Sequence, residues 1–389
     1  MRVDFNVPLD SDKHITDDTR MRKALPSIKA VIENGGKLML MSHLGRPQKK
    51  RLEDGSIDVA QFSLHPLVGH LRELTGANVS FATDCGGEES RRMASELKPG
   101  DILLLENTRF YPEEEKGDDG FAGQLADLAE IYVNDAFGTA HRAHASTTLV
   151  ANHFAPENRR FGYLMEAELK NAEKVLHNAE RPLTAILGGA KVSDKIGLLR
   201  QLLDLADSII VGGAMAFTFV KARGGSTGNS LVEEDKLDLA NEIIGAAKEK
   251  GVKLLLPNDA IVADNFSADA NKQTVAIGEI PDGWMGLDIG PTSVKEFEAE
   301  ISNARSILWN GPMGVFEMEP FAKGTLAVAK AVAERTRQGA FSMVGGGDSV
   351  AAVNQSGLAS DISFISTGGG AMLEFLEGKV LPGVAAIKG

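Results

Sequence analysis

Short runs of consecutive apolar residues alternate along this chain with stretches whose apolar positions recur every three or four residues. The runs are KLMLMS (37–42), DILLLEN (101–107), IYVND (131–135), LTAILGG (183–189), SIIVGG (208–213), KLLLP (253–257), SILWNG (306–311) and SFIST (363–367). A strand reads as such a run when both its faces are covered, the condition of a parallel sheet between layers of helices. Met21, Ala24, Leu25, Ile28, Val31 and Ile32 keep helical spacing up to Gly35 and Gly36, which end the segment. Alternation of strands and helices predicts an α/β architecture. The pattern breaks at Pro156, and a helix follows from about Glu166 to His177. Two α/β halves joined by a helix are expected.

Composition sharpens this. With 389 residues, 43% of them hydrophobic and 24% charged, the chain is too long for one ordinary core. The formal charge of −13 argues against a sequence-independent grip on nucleic acid or anionic lipid, so any anion site must be built from local cations. Cys85 is the only cysteine, which excludes an intramolecular disulfide and suits a reducing cytosol. The opening MRVDFNVP has no signal-peptide pattern, and no apolar run approaches a membrane span. A cytoplasmic protein with neither a nucleic-acid nor a membrane partner is expected.

Two kinds of candidate chemistry stand out. The second half carries glycine turns between strand-like and helix-like segments: LGGAK (187–191), VGGAM (211–215), VGGGDS (344–349) and TGGGAM (367–372). Such a turn presents backbone N–H groups at a helix N-terminus, where anions bind, so several together suggest one extended ligand with several phosphates. Neither the dinucleotide fingerprint nor the P-loop pattern occurs, which argues against a nicotinamide dehydrogenase. The first half carries cations just after strand-like runs: His43 and Arg46 in SHLGRP, Arg109 in ENTRF, and His141, Arg142 and His144 in GTAHRAHAS. Arginine forks bind carboxylate or phosphate bidentately. The His141–His144 pair has no carboxylate or cysteine nearby to complete a metal set, so an anion site is preferred. In RVDFNVP, period-two alternation puts Arg2, Asp4 and Asn6 on one strand face, with an Arg2–Asp4 ion pair as the structural reading.

RVDFNVPL, SHLGRP, NDAFGTAHRAHAS, ILGGAKVSDKI, NGPMGVFE, VGGGDSVAAV and STGGGAMLEFLEGKVLPGV occur in this order and resemble the signature segments of the phosphoglycerate kinase family over nearly the whole chain. The resemblance implies two Rossmann-like lobes, each a parallel sheet flanked by helices, joined by a hinge helix. Residues 1–155 would bind 3-phosphoglycerate or 1,3-bisphosphoglycerate, 156–178 form the hinge, 179–370 bind Mg-ADP or Mg-ATP, and 371–389 return to the first lobe. The reaction implied is reversible phosphoryl transfer between 1,3-bisphosphoglycerate and ADP, by a monomer in glycolysis. A catalytically silent nucleotide-binding protein of the same fold is the alternative.

By similarity, Asp4, Phe5, Asn6, His43, Leu44, Gly45, Arg46, Arg109 and Arg142 hold the glycerate and its non-transferring phosphate. Arg20, Lys191 and the helix start at Gly370 serve the group in transfer. Lys195, expected on one helix face with Lys191, Gly346, Gly347 and Ser349 meet the nucleotide phosphates, and Asp348 holds Mg²⁺. Glu317 resembles the ribose ligand, Asn310 and Pro312 line the same region, and Gly188, Gly212, Gly213, Gly286 and Leu287 resemble the adenine slot. The resemblance also carries an expectation about the start: family members have a leader before RVDFNVP, so an in-frame segment upstream of Met1 is expected.

Overall fold

The apolar runs become strands because alternate side chains find cores on opposite sheet faces. The computed structural model describes residues 1–389, which divide into Met1–Lys170 with Val380–Gly389, and Asn171–Lys379. In the first unit the strands are β1 (Arg2–Val3), β2 (Leu38–Leu40), β3 (Val79–Ala82), β4 (Ile102–Leu105), β5 (Tyr132–Asp135) and β6 (Arg159–Phe161). All pairings are parallel, and a bridge between Arg2 and Met41 joins two three-stranded sheets in the order β3-β4-β2-β1-β5-β6. Ile102 and Leu104 of β4 pack with Val3, Phe5, Val7, Met21 and Ile28, whereas Leu103 and Leu105 pack with Phe121, Leu125 and Tyr132. The helix Thr19–Ile32 turns Met21, Ala24 and Ile28 onto the first of these cores.

RVDFNVP keeps the expected sidedness, with Val3, Phe5 and Val7 buried together, but only Arg2 and Val3 pair as a strand. From Asp4 onward the backbone leaves the ladder: the Phe5 N–H donates to Ser42 Oγ (2.8 Å) instead.

In the second unit the strands are β7 (Leu183–Leu187), β8 (Ser208–Val211), β9 (Ser226–Thr227), β10 (Lys253–Leu255), β11 (Asp259–Ala263), β12 (Lys272–Ala276), β13 (Glu279–Ile280), β14 (Met285–Ile289), β15 (Ser306–Asn310), β16 (Phe341–Gly345) and β17 (Phe364–Ile365). Six form a parallel sheet, β10-β8-β7-β15-β16-β17. One of its faces supplies Ile186, Ile210, Ile307, Trp309 and Val344 to a core shared with Phe297, Ile301, Val328 and Val332 from two helices. The antiparallel sheet β12-β11-β14 and the β13-β9 pair are additions that hydrophobic runs did not mark. The reason is plain in KQTVA, the sequence of β12, which is mostly exposed.

The helix Tyr163–His177 carries the chain from one unit into the next. The chain returns to the first unit only at Val380, later than the expected residue 371. The intervening helix Gly370–Leu376 stays with the second unit, where Ala371, Met372 and Leu376 are buried. The returning segment is held by Gly383, whose N–H donates to the Ala140 carbonyl (2.9 Å).

Candidate active-site residues in the two units

In the first unit Asp4, Asn6, Arg20, His43, Gly45 and Arg109 form one network. Arg20, in the first turn of Thr19–Ile32, meets Asp4 Oδ2 at 2.6 Å. Asn6 Oδ1 accepts from the Gly45 N–H (2.8 Å), and Arg109 Nη1 donates to the Gly45 carbonyl (2.8 Å). Gly45 sits at φ +62°, and a Cβ there would run into the Phe62 ring, so the turn that links Asn6 to Arg109 needs glycine. The side chains of Phe5 and Leu44 belong to the hydrophobic core, so what these two can offer a ligand is backbone. Arg46 and Arg142 are exposed.

The expected Arg2–Asp4 ion pair does not form. Arg2 is buried (1% exposed), donates to Ser146 Oγ (2.8 Å), and lies 3.0 Å from His43 Nδ1, while Asp4 takes Arg20 as its partner. With the strand ending at Val3, Arg2 and Asp4 no longer share a pleated face. Burial and the nearby Arg2, Arg109 and Arg20 hold the His43 pKa well below the ordinary imidazole value. Burial, then Arg109, Arg2 and Arg142, bring His144 down to about 4, and its Nδ1 is buried without a hydrogen-bond partner. Two neutral imidazoles surrounded by guanidinium groups make a region suited to a polyanion.

In the second unit, the carboxyl ends of β7, β8 and β15 interlock. The N–H groups of Gly188, Gly189, Gly212 and Gly213 donate to the carbonyls of Asn310, Pro312, Leu187 and Met313 at 2.8–3.2 Å. The expectation of free backbone donors at these two turns is therefore corrected. A Cβ on Gly188 would strike the Pro312 carbonyl, so this glycine lets three loops pack together. Above them lies a cleft of about 480 Å³ lined by Ala214, Phe217, Leu231, Met285, Leu287 and Val315, with Gly213, Gly286 and Pro312 also on its walls. Its polar groups include the exposed carboxylates of Glu317 and Asp348.

The remaining turns differ. Gly346, at φ +89°, precedes the helix Gly347–Gln355, whose first-turn N–H groups have no acceptor within the helix. Asp348 stands exposed in that turn. Ser349 is buried, and its hydroxyl accepts from the Gly311 N–H (2.5 Å). Gly370 opens a seven-residue helix after Gly369 at φ +48°.

Lys191 and Lys195 do not share a helix face. Lys191 is exposed in a loop, Ser193–Lys195 is a 3₁₀ turn, and the helix begins only at Ile196. Lys195 Nζ donates to Asn310 Oδ1, while Asn310 Nδ2 is buried without a partner. Burial lowers the Lys195 pKa, against the pull of Asp194, Asp348 and Glu377.

Sequence reasoning missed the apolar cleft wall, because Ala214, Phe217, Leu231 and Val315 look like ordinary core residues. It also read Arg2 as structural, although its neighbours are the candidate anion-binding groups.

A family model described as phosphoglycerate kinase matches residues 1–379. A phosphoglycerate kinase from Acaryochloris marina is 56% identical across all of this chain and 94% of its own length, and one from Chlorobium phaeobacteroides is 55% identical across all of the chain and 95% of its own. Among solved structures, phosphoglycerate kinase from Coxiella burnetii superposes with a TM-score of 0.86 at 40% identity, covering 99% of this chain and 94% of that one. The Pyrococcus horikoshii enzyme gives 0.82 at 31% identity, covering 100% and 95%.

Proposed function

Because the chain belongs to the phosphoglycerate kinase family, we propose that it transfers a phosphoryl group reversibly between 1,3-bisphosphoglycerate and ADP, yielding 3-phosphoglycerate and ATP. The observation that carries this is the 55–56% identity to curated phosphoglycerate kinases along the whole chain. The chain is thus a kinase, and the rest of the assignment follows from the chemistry of the residues. The cluster of Arg20, Arg46, Arg109, Arg142, Asn6 and neutral His43 takes the glycerate and its non-transferring phosphate. Arg20 uses one donor on Asp4 and keeps others for a ligand.

The apolar walls of the second unit's cleft take the adenine, Glu317 the ribose hydroxyls, and Lys195 with the first turn of Gly347–Gln355 the phosphates. Asp348 fits magnesium, since its carboxylate is exposed on the cleft wall, and this ion takes one or two carboxylates and completes its shell with phosphate oxygens and water. When bound, magnesium neutralises charge on the phosphates. Both acceptors, a carboxylate and a β-phosphate, are already anionic nucleophiles, so the chain needs no general base. Its task is to orient the reacting oxygens, exclude water, and offset charge with Arg20 and Lys191.

A magnesium requirement, a monomeric state and a cytoplasmic location belong to the same proposal. A coupled assay with 3-phosphoglycerate, ATP and Mg²⁺ tests it: ADP release that depends on all three supports the assignment. Absence of turnover by folded protein refutes it and favours the silent nucleotide-binding alternative.

A further inference from the structure

We propose that Asp288 is a positioning residue of the nucleotide site, whose buried carboxyl group fastens the base wall, the ribose-side loop and the start of a helix into one arrangement. This rests on the nucleotide reading of the cleft.

Asp288 follows Gly286 and Leu287 in β14 and is 4% exposed. Its Oδ1 accepts from the Ile289 N–H (2.9 Å), and its Oδ2 from the Gly324 N–H (2.8 Å) in the first turn of Lys323–Arg337. That helix begins at Ala322, which has no side chain able to cap it, so the cap comes from the cleft wall.

The loop 311–317 is fixed to both neighbours of this carboxyl. Val315 N–H donates to the Leu287 carbonyl (2.8 Å), and Met313 N–H donates to Thr325 Oγ1 (3.0 Å) on the helix. Asp288 fills the space between them so closely that a Cβ on either Gly314 or Gly324 would overlap its Oδ1. The same loop carries Pro312 and Glu317, which line the cleft beside Gly286, Leu287 and Asp288.

No lysine, arginine or histidine pairs with this carboxyl, and burial raises its pKa to about 7. Burying an unpaired carboxyl is costly, and a hydroxyl side chain could cap a helix without that cost. A carboxyl has two acceptor oxygens: here one binds the next residue of its own strand, and the other reaches across to the start of the helix. Removing it uncaps the helix and empties the space packed against Gly314, so the loop that bears Glu317 can shift against the base wall although its Val315–Leu287 hydrogen bond remains, and nucleotide affinity falls while the first unit is unaffected.

The test is ADP calorimetry together with steady-state kinetics on the full chain. Asp288→Ala and Asp288→Asn are expected to weaken ADP binding about ten- to hundredfold, by analogy with the partners that orient metal ligands. At saturating ADP, kcat is retained, and KM for phosphoglycerate is unchanged. Val332→Ala, buried in the core on the same helix, serves as the control: it lowers the melting temperature and leaves ADP affinity alone. An ADP Kd within about twofold of wild type in Asp288→Ala overturns the proposal. So does an equal loss in Val332→Ala, or a parallel rise in KM for phosphoglycerate. Wild-type protein that binds ADP without turnover refutes the proposed activity and leaves the positioning role to be read from Kd alone.

Discussion

Replacing Gly45 by alanine should damage the first unit in two measurable ways. Gly45 holds φ +62°, and an added Cβ would come 2.6 Å from Phe62 Cε1 and 2.7 Å from Cδ1, roughly 0.8 Å short of ordinary contact. Phe62 is 6% exposed and has little room to retreat. A residue with a Cβ pays roughly 1–2 kcal/mol in the left-handed region, and overpacking adds about 1–3 kcal/mol, giving about 2–5 kcal/mol in all. For a unit of this size each kcal/mol is worth about 2–4 °C, so the melting transition should fall by about 4–20 °C. Gly45 also holds Asn6 through its N–H and Arg109 through its carbonyl, both at 2.8 Å, so KM for phosphoglycerate should rise while ADP binding stays constant. Differential scanning calorimetry and initial-rate kinetics read both effects. Gly69→Ala is the companion variant: Gly69 lies inside the helix Leu67–Thr75, a methyl group added there would meet nothing within 4 Å, and the change should gain up to about 1 kcal/mol. A Gly45→Ala protein melting within about 1 °C of wild type, with unchanged KM, would refute the reasoning.

Further outcomes are expected at four other residues. Lys191→Ala should lower kcat about 10²–10³-fold, the loss for one preorganised charge at a reacting group, with ADP affinity unchanged in calorimetry; Arg20→Ala should lose stability as well, since Asp4 would be left without its cation. The folded-state pKa of His144, about 4, lies below its unfolded value of about 6.5, so the unfolded chain binds more protons across that window and stability falls as pH drops through it. An anion in the cluster favours the charged imidazole, so sulfate should bind more tightly at about pH 5 than at about pH 7 with proton uptake, and His144→Gln should flatten the difference; equal affinities in wild type would remove His144 from the site. Lys195, its pKa lowered by burial, should lose its charge at lower pH than a free lysine, so ADP affinity should decline on the alkaline side before a free lysine would titrate, and a Lys195→Met protein that shows the same decline would exclude it as the cause.

The sequence alone determined the α/β class, because a strand buried on both faces must be apolar at every position, and that condition is written locally in runs such as ILLL of β4. The order of the signature segments identified the family for the same reason: it is information carried along the chain. Tertiary structure decided which groups those segments leave free. Gly188 and Gly346 read alike as strand-end glycines, yet the first gives its N–H to Asn310, far along the chain, while the second opens a helix above the cleft. Arg2 and Asp4 read as a pair on one face, yet the strand stops at Val3 and each finds a partner the local pattern could not specify: His43 and Ser146 for one, Arg20 for the other. The cleft wall was illegible as well, since an alanine, phenylalanine or leucine is chemically the same whether it faces a core or an open cleft. Periodicity reports whether a side chain faces inward; only the long-range packing of loops decides what it meets there.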